Sequence, residues 1–496
     1  MFSRLIDSRP NRIDQGAPRD SRSPAFRFHL MQQNLLGQIP AVEILLQDAQ
    51  SQGWATGIPR RTLVDAVRSA VDRARTALLE SGDRDADQAS LHQTILAEAR
   101  QRALAAAAPY YRKVINATGI ILHTALGRAV LPAKALSQIA AELTGYSLLQ
   151  VDVVTGQRSR RDGRIEDLLR QLTGAEAATV VNNNAAATSI VLNTVARGKE
   201  VIVSRGQLVE IGGSFRLPDV MAASGAKLVE VGTTNKTHAR DYENAVTADT
   251  AAILRVHPSN YKISGFTAEV PLAELVRIAH GRGIIVIDDV GAGPLLDFSR
   301  FGFDNEPTLQ ESVQAGADLI TASADKLIGA GQGGIILGRA ELIQAVRKNP
   351  LARIVRVGKL TLAVLEATLS LFLDEAQALS EVPTLRMLCR DLADITAEAQ
   401  RIAQAIGQRT KAAVVTTAEG FSQMGSGSLP AQNLATRLVA VAPTSVEPGE
   451  LALRLRRGRP PVFARVHHGR VLADPRTLLA GEEHELVEAF VEALQE

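Results

Sequence analysis

Lys326 stands where covalent chemistry is best supported by its neighbours. It lies in TASADKLIGAGQGG (Thr321–Gly334), just after the apolar run Leu319–Thr321, with Ser323 three residues before it. A carboxylate, Asp289, precedes it by 37 residues, in VIDDVGAG (Val286–Gly293). Each segment reads as the carboxyl end of a buried strand, where open α/β sheets form their ligand crevice. Pyridoxal phosphate chemistry uses such a set. A lysine amine condenses with the aldehyde, and a buried aspartate keeps the pyridine nitrogen protonated so that the ring accepts electrons. Small hydroxyl and backbone donors hold the phosphate. An apolar setting would lower the pKa of Lys326 and make it a competent base. Spacing alone leaves a second reading open, in which Asp289 and Lys326 are an ordinary loop pair. A dinucleotide fingerprint is set aside, because Gly329, Gly331 and Gly333 lead into a strand (Ile335–Leu337) rather than a helix.

A second constellation is VVNNNAAAT (Val180–Thr188). A strand ends at three asparagines and a helix opens on Ala185–Ala187. A helix N-terminus with free N–H groups and no bulky side chains suits a phosphate. A plain cap by Asn183 or Asn184 is the other reading.

These residues need a scaffold. Seven short apolar runs alternate with helical stretches: Ala178–Val181, Val201–Val203, Lys227–Val231, Ala252–Val256, Ile284–Ile287, Leu319–Thr321 and Ile335–Leu337. They are apolar on consecutive positions, the pattern of strands covered on both faces. The expected fold class is α/β, with a mainly parallel seven-stranded sheet in a large domain over residues 106–355. A small α+β domain follows over 356–496. Ahead of them, residues 30–105 read as a separate helical module, with Val64, Val67, Val71, Ala74 and Leu78 on one stripe. Residues 1–29 are poor in large apolar side chains and read as a disordered extension.

Composition narrows the classes. The 496 residues carry 55 Lys+Arg against 53 Asp+Glu, so the chain is no histone-like polycation. One cysteine, Cys389, excludes an intrachain disulfide and any cysteine-clustered metal site, and no metal is expected. The start has no apolar signal core, and no window of about 20 residues is apolar enough to span a membrane. The cytoplasm is the expected compartment.

Several segments together resemble one family: INATGIILHTALGRA, TGAEAATVVNNNAAAT, VSRGQLVEIGGSFRLPDVM, LVEVGTTNKTHARDY, VHPSNYKISGFT and SADKLIGAGQGGIILG. The chain resembles the bacterial L-seryl-tRNA(Sec) selenium transferases, or selenocysteine synthases, from about Ile39 to the C-terminus. The resemblance implies a homo-oligomeric enzyme that uses pyridoxal 5'-phosphate and has the type I, aspartate aminotransferase-like fold. The family assembles as a ring of dimers, a decamer. By the same resemblance Lys326 is the lysine that bonds the cofactor and Asp289 the aspartate at the pyridine nitrogen. Asn183, Asn184 and Ser323 fall at phosphate contacts, His257 lies near the ring, and Arg128, Arg353 and Arg356 line a substrate-anion site. The motifs depart from the family at Ala324, at Ala330-Gly331 and at Asp288, where a second acid precedes Asp289. Asp288 is expected to point to the other face of its strand.

The implied reaction is β-elimination on L-seryl-tRNA(Sec), with Lys326 as the base, to aminoacrylyl-tRNA. Selenium from selenophosphate then adds to give selenocysteinyl-tRNA(Sec). The helical module is expected to read the tRNA body, with Arg60, Arg61, Arg68, Arg73 and Arg75 as candidate phosphate contacts. The run Arg158, Arg160, Arg161, Arg164 is a second basic candidate. Two alternatives stand beside this: a related lyase or ammonia-lyase acting on a small phosphorylated substrate, and a catalytically inactive tRNA-binding protein.

Overall fold

The computed structural model describes residues 36–81, 87–213, 215–303 and 306–495. The expected extension over 1–29 lies outside them. The chain forms two compact units that meet in sequence between Arg112 and Lys113.

The first unit packs three helices, α1 (Val42–Ser51), α2 (Arg60–Ser81) and α3 (Gln88–Ala107). Leu63, Val67, Ala70 and Val71 of α2 are buried against Leu45 and Ala49 of α1 and Ile95, Ala99 and Ala103 of α3. Each fully buried Leu, Ile or Val in such a stripe contributes about 1.5–3 kcal/mol. Asp87 caps α3 by accepting from the N–H groups of Ala89 and Ser90. Three of the five candidate arginines are already paired: Arg61 with Asp65, Arg73 with Glu98 and Arg75 with Asp72.

The second unit is built on a seven-stranded sheet. Its strands, in chain order, are β1 (Ala177–Val181), β2 (Glu200–Ser204), β3 (Lys227–Val231), β4 (Thr250–Val256), β5 (Ile285–Gly291), β6 (Leu319–Ser323) and β7 (Gly334–Gly338). Their spatial order is β1-β7-β6-β5-β4-β2-β3. All pairs are parallel except those of β7, which runs antiparallel to β1 and β6. The reason is the connection. The turn Ala324–Gly333 carries no crossover helix, and a parallel return would need one. Every residue of β1, β6 and β7 is buried, because apolar layers cover both faces. The edge strand β3 instead keeps Lys227 and Glu230 exposed.

Beyond the sheet, Val357, Leu362, Leu365, Leu369, Leu385 and Leu388 pack into the core beneath β1, β6 and β7. Packing therefore continues across the expected boundary at residue 356. Further on, a four-stranded antiparallel sheet carries β8 (Ala413–Gly425), β9 (Ser428–Pro443), β10 (Arg465–His467) and β11 (Arg470–Ala473) in the order β8-β9-β11-β10. Helices Leu392–Arg409, Pro448–Arg457 and Glu482–Gln495 close its core. The β8–β9 hairpin is long, and its tip returns to the large domain: Ser426 Oγ donates to the Leu122 carbonyl across 2.5 Å. Among the described residues no helix is long and apolar enough to cross a membrane. No cluster of three or more His, Cys, Asp or Glu among them could hold a metal ion.

Candidate active site

Strand alternation separates the two adjacent acids of β5. Asp288 is fully buried on one face, accepting from Arg255 Nη1 at 2.9 Å and Ser312 Oγ at 2.7 Å. Asp289 faces the other way. It accepts from Asn184 Nδ2 at 2.8 Å and from Thr188 Oγ1 at 3.1 Å. Asn184 and Thr188 are four residues apart on helix Asn184–Val195, so one helix face presents both donors. Burial pushes the Asp289 carboxyl above the usual range, opposed by the hydrogen bonds from Asn184, Thr188 and Thr321 and by the charge of Lys326.

The helix starts where it does because Asn183 Oδ1 accepts from the Ala186 N–H at 2.8 Å. Asn183 thus acts as the cap, and the Asn184 amide is spent on Asp289. Neither side chain is aimed at a phosphate by these contacts. Strand β7 passes the same point on a glycine. A Cβ at Gly334 would lie 2.1 Å from the Asn183 carbonyl oxygen.

Lys326 sits three residues beyond the end of β6 and is 7% exposed. The segment is held in shape by Ala324 N–H donating to the Gly333 carbonyl and Ala330 N–H to the Ala324 carbonyl. Burial lowers the lysine below its ordinary value of 10.5. Asp289 opposes that shift and Arg128 adds to it. Arg128 itself donates to Asp325 Oδ2 at 2.7 Å, from a left-handed backbone with φ of +64°. A non-glycine residue in that region costs of order 1 kcal/mol, strain typical of functional sites. Ser323 closes β6 and is buried.

His257 follows β4, and its backbone N–H donates to the Asp289 carbonyl at 2.9 Å. Its Nε2 lies 3.2 Å from Oε2 of Glu306, a carboxylate only 3% exposed. Glu306 was not picked out by the sequence. It stands in a loop with no motif around it, and only tertiary packing brings it to His257. Thr188 was missed too, although its spacing from Asn184 on a helix was a usable signal.

Arg353 ends up in the short helix Leu351–Ile354, with Arg356 beyond its end, so the two share no helix face. They converge instead around Arg161. Burial and the charges of Arg356, Arg353 and Arg158 all lower the Arg161 guanidinium from its ordinary value. Arg161 is fixed by Gln150 Oε1 at 2.7 Å and the Val357 carbonyl at 3.1 Å. The Val355 carbonyl accepts from the Asn182 N–H at 3.0 Å, which ties this basic segment to the end of β1.

The donor set fits pyridoxal phosphate. A buried carboxylate is costly without a cationic or donating partner, which a pyridinium supplies. A buried lysine held towards its neutral form is suited to attack an aldehyde. The Asn184 Oδ1 is buried with no protein partner, and the adjoining helix opens on small residues.

A family model described as L-seryl-tRNA selenium transferase matches residues 114–479. The chain belongs to that family. A second model, described as selenocysteine synthase N terminal, matches residues 36–75, within the helical unit. The L-seryl-tRNA(Sec) selenium transferase of Alkaliphilus metalliredigens is 45% identical over 461 residues, covering 92% of this chain and 98% of that one. The one from Solidesulfovibrio magneticus is 46% identical over 459 residues, covering 92% and 97%. Membership favours the selenium transferase reading over the small-substrate lyase. A solved structure of D-glucosaminate-6-phosphate ammonia-lyase is similar in fold, with a TM-score of 0.53 at 21% identity, over 77% of this chain and 96% of that one. The expected fold class, a mainly parallel seven-stranded α/β domain of the aspartate aminotransferase-like type, is present in this selenium transferase family member.

Proposed function

We propose that the chain converts L-seryl-tRNA(Sec) to selenocysteinyl-tRNA(Sec), using pyridoxal 5'-phosphate and taking selenium from selenophosphate. The observation that carries this reading is the burial of Lys326 and Asp289 within reach of each other's charge, at the strand ends of a selenium transferase family fold. When bound, pyridoxal phosphate supplies the electron sink that makes the seryl Cα–H acidic. Lys326 would hold the cofactor until the seryl amine takes its place, and the amine so freed, in its neutral form, would take the Cα proton and later return it. Asp289, oriented by Asn184 and Thr188, holds a proton on the pyridine nitrogen. Ser323 and the N–H groups at the start of helix Asn184–Val195 hold the phosphate, with Asn183 shaping that turn as its cap. His257, anchored on the Asp289 backbone, lies near the ring.

Arg128, Arg353 and Arg356, with Arg161 beside the latter two, bind the anionic selenium donor, since a guanidinium fork matches phosphate oxygens. The helical unit reads the tRNA body, and Arg60 and Arg68 of α2, exposed and without an ion pair among the described residues, are its candidate phosphate contacts. Assembly as a ring of dimers in the cytoplasm completes the reading. Tyr146, Leu148, Val153 and Val154, all strongly exposed, support a subunit interface beside the large domain.

The test is incubation of the purified protein with pyridoxal phosphate, seryl-tRNA(Sec) and selenophosphate, followed by analysis of the aminoacyl group. Selenocysteine on the tRNA is the expected result. Unchanged serine in the presence of bound cofactor would reject the proposal.

A further inference from the structure

A cavity of about 390 Å³ opens between the segment after β4 and the tip of the β8–β9 hairpin. One wall is Asn260, Tyr261 and Lys262, and the other includes Gln423, Ser428, Leu429 and Asn433. It adjoins the lysine–aspartate site through the chain itself. Ser259, the residue before Asn260, packs against Gly291, two residues past Asp289: a Cβ on that glycine would lie 3.4 Å from Ser259 Oγ.

The wall is built, not incidental. Ser426 and Leu429 hold left-handed backbones, with φ of +48° and +49°, at the hairpin tip. Strain of this kind persists only where the surroundings over-determine it. Gly427 fits because it has no side chain, since a Cβ there would lie 2.9 Å from both Asn260 Cβ and Ile211 Cδ1. Ser428 lines the cavity and is 3% exposed, and its buried Oγ has no hydrogen-bond partner. A buried hydroxyl left unpaired costs about 1–3 kcal/mol, a cost that a ligand's hydrogen-bonding edge would relieve. The lining carries carboxamides, the hydroxyl-bearing residues Tyr261 and Ser428, one lysine, Lys262, and apolar faces, with no carboxylate and no arginine among the described residues. The carboxamides, hydroxyls and apolar faces together suit a heteroaromatic ring with donors and acceptors on its edge.

We infer that this cavity takes the 3'-terminal adenosine of the aminoacylated RNA. The inference rests on the seryl-tRNA reading proposed above. The seryl carboxyl is esterified to the ribose of that nucleoside, so a seryl Cα at Lys326 places the nucleoside a few bonds away. Ser428 Oγ and the amide of Asn433 then read the base edge, and Leu429 packs on its face.

The probes are 3'-deoxy-3'-(L-serylamido)adenosine, its uridine counterpart and serinamide, each titrated into the holoenzyme. Binding is read by equilibrium dialysis and by the change in the cofactor's visible band. The adenosine compound should bind about tenfold more tightly than the uridine compound, the value of one or two base-edge hydrogen bonds. The combined Ser428→Ala and Asn433→Ala variant should lose that preference while keeping the cofactor band and its affinity for serinamide. Asn433→Trp, which fills the cavity, should weaken both nucleoside compounds and leave serinamide unaffected. Equal binding of the two nucleosides by the parent protein, or a preference that survives the double variant, would overturn the inference. Failure of the parent protein to convert seryl-tRNA would instead overturn the reading beneath it. Conversion without base preference would remove the cavity's role alone.

Discussion

The side-chain amide of Asn184 donates to Oδ1 of Asp289 across 2.8 Å, linking the first residue of a helix to the middle of the sheet. The contact leaves the opposite oxygen of the amide buried without a protein partner. It also fixes which of two neighbouring acids faces Lys326's side of the strand ends, so the two acids should respond differently to substitution.

Asp289→Asn should fold normally but lose most activity, about 10²-fold or more, because a neutral partner cannot keep the pyridine nitrogen protonated. Asp288→Ala should do the reverse. It leaves Arg255 half-buried without its carboxylate and should lower stability by about 3–5 kcal/mol. Urea unfolding and steady-state rates on both variants check the split. A larger kinetic defect in a folded Asp288 variant would reverse the assignment.

Lys326→Ala should abolish turnover and covalent retention of the cofactor. Borohydride treatment of the parent holoenzyme, followed by peptide mapping, should label Lys326 alone. Modification at another lysine would reject its role.

Covalent capture of pyridoxal phosphate by the apo-protein should titrate below the ordinary lysine value of 10.5, because burial disfavours the charged amine. The sign carries to stability. The unfolded chain holds the lysine proton more tightly, so this group's contribution to apo-protein stability rises with pH between the folded and unfolded values, and its penalty is full below both. Asp289 favours the charged amine and Arg128 disfavours it. Capture by Asp289→Ala should therefore shift to lower pH, and by Arg128→Ala to higher pH. Shifts in the opposite directions, read by stopped-flow absorbance, would contradict the arrangement.

Deleting residues 1–112 removes one compact unit along its natural division. The remaining chain should still fold and bind pyridoxal phosphate, since every residue of the cofactor site lies in the second unit. Its affinity for seryl-tRNA should fall by about tenfold or more at fixed salt, as measured by filter binding. Undiminished affinity would move the tRNA contacts elsewhere, with the Arg158–Arg164 run the first place to look.

The parts legible in the sequence were those governed by local pattern. Consecutive apolar residues mark β1, β6 and β7 as strands covered on both faces, and the residues after two of those ends supply Asn184 and Lys326. Strand alternation sufficed to send Asp288 and Asp289 to opposite faces. Other features depend on packing between distant segments. Glu306 reaches His257 from a loop, and Arg161 joins Arg353 and Arg356 only because the Val355 carbonyl binds the end of β1. The chain likewise gives no local sign that Lys359–Leu371 packs beneath the large sheet, because its apolar stripe would serve either domain equally well.

The hairpin tip bears on how the molecule moves. A Cβ at Gly425 would lie 2.5 Å from Ile120 Cγ2, and Ser426 is bonded to Leu122, so the tip is seated against the segment that leads to Arg128. At the far side of the small domain, Ile115–Asn116 pairs in parallel with Val462–Phe463. Ile115 and Ala117 lie in the small-domain core and Ile121 and Leu122 in that of the large domain, so residues 115–122 pass from one core to the other, and the hairpin tip clasps them at the large-domain end. A hinge between the domains would have to break the tip's contacts with residues 120–122, so substrate entry is better served by side-chain and loop adjustments than by a clamshell opening. The amide hydrogens of Leu122 and Gln423, which donate to the Met424 and Gly119 carbonyls, should then exchange together and slowly, as members of one cooperative unit.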